Sequence, residues 1–233
     1  MDQRRRLISL GQVAILGGLP QPTLERVALT CRWHDFAEGE QILRYQDPST
    51  DVCFLAAGKV RVVVYSIEGK AVLFTDLRPG AMFGEIAAID GSPRSASVEA
   101  VEPSTVATLT AGQFGVLLLS EPKVAVATLK HVAAEVRRLS ERVVEFSTLV
   151  VQNRIQAELM RLAAKAGQQH GQALLSPAPS LSEIADRIST HREAVSRELS
   201  RLASMGLLRR EGANLRIVDV TRLVMLVGQA KGE

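Results

Sequence analysis

Between Phe83 and Ala96 the chain reads Phe83-Gly84-Glu85-Ile86-Ala87 and then Pro93-Arg94-Ser95-Ala96, with arginine nine residues beyond the glutamate. These are the parts needed to hold a small molecule carrying both ribose hydroxyls and a phosphate. Glycine lets backbone approach a ligand, and free N–H groups at a helix start attract an anion. Arginine offers a planar fork to phosphate oxygens, serine adds a hydroxyl donor, and glutamate accepts from sugar hydroxyls. A second constellation, Arg192-Glu193-x-x-Ser196-Arg197, has the spacing of one helix face. Arginine can bond two acceptors on guanine, glutamate can accept from cytosine, and serine serves several base edges.

The elements that must position these groups follow from the texture of the chain. Residues 7–30 have helical spacing, broken at Gly17-Gly18, Pro20 and Pro22. From Trp33 to Leu109, short apolar runs alternate with turn signals, the pattern of an antiparallel sandwich or jelly roll. Val60–Tyr65 and Val72–Phe74 flank Ile67-Glu68-Gly69-Lys70 as a hairpin, and Phe83–Ile89 is the one short segment there with helical character. From Ala125 to Val150, apolar residues fall at spacings of 4, 3, 4, 3, 4, 3, 4: Leu129, Val132, Val136, Leu139, Val143, Phe146 and Val150. This is a heptad seam, and its mostly β-branched a positions favour a parallel two-stranded coil. A stripe so regular can also pack on its own domain; a parallel homodimer is the preferred reading.

A hinge is expected at Val151–Asn153, where the seam gives way to Ile155, Leu159, Leu162 and Ala163, and Gly167–Pro179 reads as a loop. Ser180-Leu181-Ser182-Glu183 and Thr190-His191-Arg192-Glu193 both match the capping box, so two helices start there. Helices joined so closely form a helix-turn-helix, and the segments 206–210 and 212–217 read as a β-hairpin wing. Glu193 has two readings, a base contact or the box partner of Thr190.

With 233 residues, 46% of them hydrophobic, and a net charge of +3, the chain can bury two small cores or one large one. Residues 154–233 carry 12 Lys/Arg against 8 Asp/Glu, whereas residues 1–153 carry 16 against 17. The positive excess thus lies in the C-terminal third, the part expected to meet an acidic polymer. Cys31 and Cys53 have no ligand spacing, so buried free thiols and no metal are expected. Arg4-Arg5-Arg6 is not followed by a long apolar region and no apolar run reaches about 18 residues, so neither a leader nor a membrane span is expected. A soluble cytoplasmic protein follows. No nucleophile–base pair or paired acid and base suggests an enzyme.

With cassette, seam and helix-turn-helix in this order, the chain from Leu16 to about Val220 resembles the cyclic AMP receptor protein family of bacterial transcription regulators. The resemblance implies an α+β fold: an antiparallel jelly roll with flanking helices over 1–121, a long dimerisation helix and hinge over 122–152, and a winged helix-turn-helix over 153–233. It implies a cyclic nucleotide as allosteric ligand, double-stranded DNA as partner, a homodimer, and RNA polymerase as a further partner. Position by position, Gly84 and Glu85 would meet the ribose, the backbone N–H groups of Ile86 and Ala87 after them the phosphate, and Phe83 would belong to the same ligand site. Arg94 and Ser95 would bind that phosphate, while Val62, Thr75 and Leu77 would line the base and sugar pocket. Ser140 would reach the base from the long helix, but Leu139 departs from the family pattern and leaves base selectivity open. Cyclic AMP is the first choice and cyclic GMP the second. Arg192, Glu193 and Arg197 match base-reading positions of the family, whereas Ser196 is like the oxygen-sensing branch, which implies a two-fold site with TGT-type half-sites. The alternatives are a regulator of the same fold that answers another effector or binds DNA constitutively, and a nucleotide-binding subunit that controls a partner protein.

Overall fold

The structure is a computed structural model that describes residues 3–66, 69 and 71–231. The chain divides into two compact units, residues 1–65 with 74–136 and residues 66–73 with 137–233. It begins with α1 (Gln3–Gly11) and α2 (Gln21–Thr30), the latter opened by Pro22 in its first turn. Eight strands follow: β1 (Arg32–Phe36), β2 (Gln41–Leu43), β3 (Val52–Ala57), β4 (Val60–Tyr65), β5 (Ala71–Leu77), β6 (Met82–Phe83), β7 (Ser97–Ala100) and β8 (Ser104–Leu109). A six-residue helix, α3 (Glu85–Asp90), sits between β6 and β7. The strands form two four-stranded sheets of order β1-β8-β3-β6 and β2-β7-β4-β5, with antiparallel registers such as Trp33↔Ala107 and Val62↔Val98. Phe54 and Leu55, successive residues of β3, point to opposite faces and both are fully buried. Phe54 packs with Leu10, Leu16, Val27 and Phe114 on the helical side. Leu55 packs with Val60, Phe83, Val98 and Val106 between the sheets. The jelly roll expected from the turn spacing is therefore present, with helices closing one face. Of the hairpin turn expected at 67–70, Ile67, Glu68 and Lys70 lie outside the described residues.

Thr110 caps α4 (Ala111–Ser120) with a full capping box to Gln113. The long helix α5 spans Pro122–Thr148, and α6 spans Val151–Ala166. The break between them falls at Leu149-Val150, where Val150 is extended at φ −67 and ψ 159. Val151–Asn153, where a hinge is expected, form the first turn of α6, immediately after this break.

In the C-terminal part, β9 (Ala173–Leu175), α7 (Leu181–Arg187), α8 (Arg192–Ser204), β10 (Leu208–Glu211), β11 (Asn214–Ile217) and α9 (Val220–Lys231) follow in order. The expected loop over Gly167–Pro179 therefore contains a strand. β9 pairs with β11 on the far side of the β10–β11 hairpin, giving the wing a third strand. Ile155, Leu159, Ile184, Val195, Leu202, Ile217 and Leu223 join in one core, so α6 and α9 belong to the same packed body as the helix-turn-helix.

Candidate functional site

The cassette turns on a left-handed residue at the start of α3. Gly84 lies between β6 and α3 at φ 76 and ψ 3, where a side chain strains the backbone. A Cβ there would also lie 2.7 Å from Arg94 Nη1 and 3.0 Å from the Asp51 carbonyl oxygen. Conformation and space both demand glycine. Arg94 is only 2% exposed. Its Nη1 donates to the Gly84 carbonyl at 2.8 Å, Nη2 to the Asp51 carbonyl at 2.8 Å, and Nε to Ser49 Oγ at 3.1 Å. Its backbone also exchanges hydrogen bonds with Gln46 and Asp47. A guanidinium has five N–H donors, so these three bonds leave two for an incoming anion. Arg94 is thus a clamp joining the 46–51 loop to the cassette as well as a candidate ligand group. The sequence reading assigned only the second role and passed over Ser49 and Asp51, which no local pattern marks.

Glu85 opens α3 and is 6% exposed. Its Oε1 lies 3.5 Å from Nε2 of His131, on α5. The hydrogen bond to Glu85 raises the His131 pKa above its usual value; burial opposes this, and Glu135 adds to it. Val62 on β4, Leu77 on β5 and Phe83 on β6 meet in the cluster between the sheets. Thr75 is half-buried, and its hydroxyl donates to the Asp76 carbonyl at 3.3 Å. Ala87 is buried, whereas Ile86 and Ser95 are exposed at the edge of the cassette. Ser140 is exposed on the part of α5 that belongs to the second unit. Cys31 and Cys53 are free and buried, and burial pushes both thiols up to about 12. Among the described residues no group of His, Cys, Asp and Glu could hold a metal ion, and no helix is long and apolar enough to cross a membrane.

The second constellation lies on α8. Ser180 makes the expected capping box with Glu183 and starts α7. The box expected at Thr190 is absent: α8 is preceded by extended His191, with no side-chain cap. Glu193 is therefore not consumed as a cap partner and instead accepts from Arg192 Nε at 3.2 Å. Arg192, Glu193, Ser196 and Arg197 are all exposed, and with Leu181 they line one shallow concavity. Val195 and Leu202, on the opposite side of α8, are fully buried. Between these faces Glu198, 2% exposed, accepts from Gln156 Nε2 on α6 at 2.8 Å and from Arg201 at 2.7 and 2.8 Å. In the wing, Arg209 and Arg210 are exposed, while Arg216 pairs with Glu211.

Beneath the helix-turn-helix lies an ionic cluster absent from the sequence reading. Glu158 on α6 meets Arg142 at 3.1 Å, Arg161 at 2.9 Å and Arg187 at 3.7 Å, and Arg161 also reaches Glu145 at 2.7 Å. Arg142 donates in addition to the Arg187 carbonyl, and both Arg142 and Arg154 stack over the Phe146 ring. Burial, and then the nearby Arg161, push the Arg142 guanidinium below its usual value. The heptad pattern puts Glu145 at an outward c position, and no spacing could pair it with a residue sixteen positions on.

A jelly roll with an arginine–glycine cassette, followed in the same chain by a long helix and a winged helix-turn-helix, puts a candidate ligand cassette and a DNA-binding motif on one polypeptide. Residues 33–121 match the family model of the cyclic nucleotide-binding domain, and residues 153–226 match the Crp-like helix-turn-helix domain. The chain belongs to the cyclic AMP receptor protein family of transcription regulators, a family of DNA-binding proteins and not of enzymes. It is 25% identical over 215 residues to the CRP-like cAMP-activated global transcriptional regulator of Mycobacterium tuberculosis, covering 92% of this chain and 96% of that protein. Two solved structures share the fold. FixK2 from Bradyrhizobium japonicum is 21% identical, with a TM-score of 0.72 over 84% of this chain and 96% of its own. The c-di-GMP responsive global regulator CLP of Xanthomonas campestris is 18% identical, with a TM-score of 0.72 over 85% and 99%.

Proposed function

We propose that the chain is a homodimeric, cytoplasmic transcription regulator that binds a two-fold DNA site with TGT-type half-sites when a cyclic nucleotide occupies its cassette. Cyclic AMP is the first candidate and cyclic GMP the second. The carrying observation is that the Gly84–Arg94 cassette and the exposed Arg192, Glu193, Ser196 and Arg197 face coexist in one chain. The jelly roll (1–121) holds the ligand, 122–152 forms the dimer, and 153–233 reads DNA. In the cassette, Gly84 and Glu85 meet the ribose. The backbone of Ile86 and Ala87, the remaining Arg94 donors and Ser95 meet the phosphate. Val62, Thr75, Leu77 and Phe83 line the pocket, and Ser140 contacts the base.

The dimer reading rests on the seam of α5, where Leu129 is 70% and Val143 is 64% exposed in the single chain. An apolar stripe running the length of a 27-residue helix is costly to leave in water, and a second copy in parallel covers it. Ligand favours the DNA-binding arrangement only as far as it binds that arrangement better, with a coupling of roughly 1–3 kcal/mol. RNA polymerase is the partner through which a DNA-bound regulator of this kind acts.

Calorimetric titration with cyclic AMP and cyclic GMP, side by side, tests the ligand. Micromolar binding of either supports the reading, and the preferred nucleotide reports the selectivity left open at Leu139-Ser140. No heat and no thermal shift with either leaves the second reading: a regulator of the same fold that answers another effector or none. That reading draws on Arg94, three of whose donors are already taken by the chain's own acceptors.

On the DNA side, Arg197→Ala is expected to cost about 1–3 kcal/mol of operator affinity and to relax preference at one base position. Arg210→Ala on the wing is expected to weaken all sequences alike and flatten the salt dependence by about one charge. Fluorescence anisotropy with single-base operator variants over a salt series separates the two.

A further inference from the structure

A carboxylate as enclosed as Glu85 is held charged only with an opposite charge or donors close by. The ion pair at Glu85 comes from the long helix: His131 Nε2 on α5 faces Oε1 across 3.5 Å. Glu85 belongs to α3, the short helix of the cassette. One contact therefore joins the residue proposed to accept from the ribose to the helix proposed to form the dimer. We infer that His131 is a positioning residue for Glu85 and couples occupancy of the cassette to the protonation of α5. This rests on the cyclic-nucleotide reading of the cassette.

The sign of the coupling follows from the charges. The groups acting on His131 are Glu85 from α3 and Glu135 one turn along α5, both acidic, and together they favour the imidazolium over the opposing effect of burial. An anionic ligand bringing a further negative charge into the cassette favours the imidazolium more. By linkage the ligand then binds better when His131 is protonated. Affinity is highest at acidic pH and falls as pH rises through the raised His131 pKa. In the ligand-free protein the same pair adds stability that is fully present below the unfolded value of 6.5. That stability is lost as pH rises through the folded value.

The test is an NMR titration of the His131 imidazole, identified by the resonance lost in His131→Gln, combined with calorimetry in cyclic AMP across about pH 6 to 8. In the ligand-free protein His131 is expected to titrate above 6.5 and to move back towards that value in Glu85→Gln. Nucleotide is expected to raise it further. Affinity is expected to fall on the order of tenfold across the range in the natural protein, and to be flat in His131→Gln. An ordinary ligand-free titration unaffected by Glu85→Gln overturns the pair itself. A raised His131 pKa with identical pH profiles for the natural protein and His131→Gln overturns the coupling while the nucleotide reading stands. No binding at any pH defeats the nucleotide reading, and the coupling with it, while the ligand-free titration still reports on the pair.

Discussion

Arg94→Ala is expected to destabilise the jelly roll by about 3–5 kcal/mol, well beyond any effect on a ligand. The substitution removes three hydrogen bonds from one buried guanidinium and leaves the Gly84 and Asp51 carbonyls without those donors. Bonds to charged groups contribute roughly 1.5–3 kcal/mol each, and abandoned buried acceptors cost about 1–3; the losses overlap because one side chain makes all three. Arg94→Lys retains the charge but cannot span three acceptors from one flat fork, so most of the loss should persist. Trp33, the single tryptophan, lies on β1 of the same unit and reports its unfolding. A urea transition followed by its fluorescence should shift markedly in Arg94→Ala. An unshifted transition with weakened nucleotide binding would make Arg94 a ligand group alone. This requires stability to be measured beside affinity, because a loose cassette loses ligand whatever Arg94 touches.

Arg94 also marks the limit of what the sequence discloses. Its neighbourhood was legible because Gly84, Glu85, Arg94 and Ser95 are close along the chain and each type has a distinct chemical use. The strands were legible for a similar reason: Val60–Tyr65 is bounded by turns and stands in the structure as β4. The α5 seam declared itself through an unbroken 4–3 spacing. What escaped depends on contacts across long sequence separations. Ser49 and Asp51 reach Arg94 from more than forty residues away, and His131 meets Glu85 from another element. Local chemistry erred where tertiary packing competes with it. Thr190 matches the capping box, yet α8 begins two residues later, with Thr190 itself buried. Gly167–Pro179 looks like a loop by composition, but Ala173 and Leu175 are buried against the core and β9 pairs with β11. Helix α9 did carry a signal, Val220, Leu223 and Val227 at helical spacing and all buried, and a search of the last fourteen residues for that period would have found it.

Glu158→Ala is expected to lower the stability of the second unit by about 3–5 kcal/mol and to weaken operator binding more than stability alone explains. Glu158 is 4% exposed and faces Arg142, Arg161 and Arg187, brought from α5, α6 and α7. Without it Arg142 and Arg187 lose that carboxylate while Arg161 keeps Glu145, and removing one partner of a buried ionic cluster typically costs about that much. Glu158→Gln keeps an acceptor of the same shape and should lose less, which separates charge from packing. The cluster fixes the end of α7, the first helix of the helix-turn-helix, to the last turns of the long helix through the Arg142 bond to the Arg187 carbonyl. Loosening it should therefore widen the range of α8 orientations and raise the entropic cost of seating both recognition helices in successive major grooves. Circular dichroism in urea gives the stability, and anisotropy at a temperature where both proteins stay folded gives the affinity. Salt sharpens the distinction. Buried pairs are screened far less than exposed ones, so the stability gap between Glu158→Ala and the natural protein should survive high salt while DNA binding of both collapses. A gap that closes with salt would mean the cluster is wet and its geometry incidental; a persistent gap would make it the joint on which the DNA-reading face is mounted.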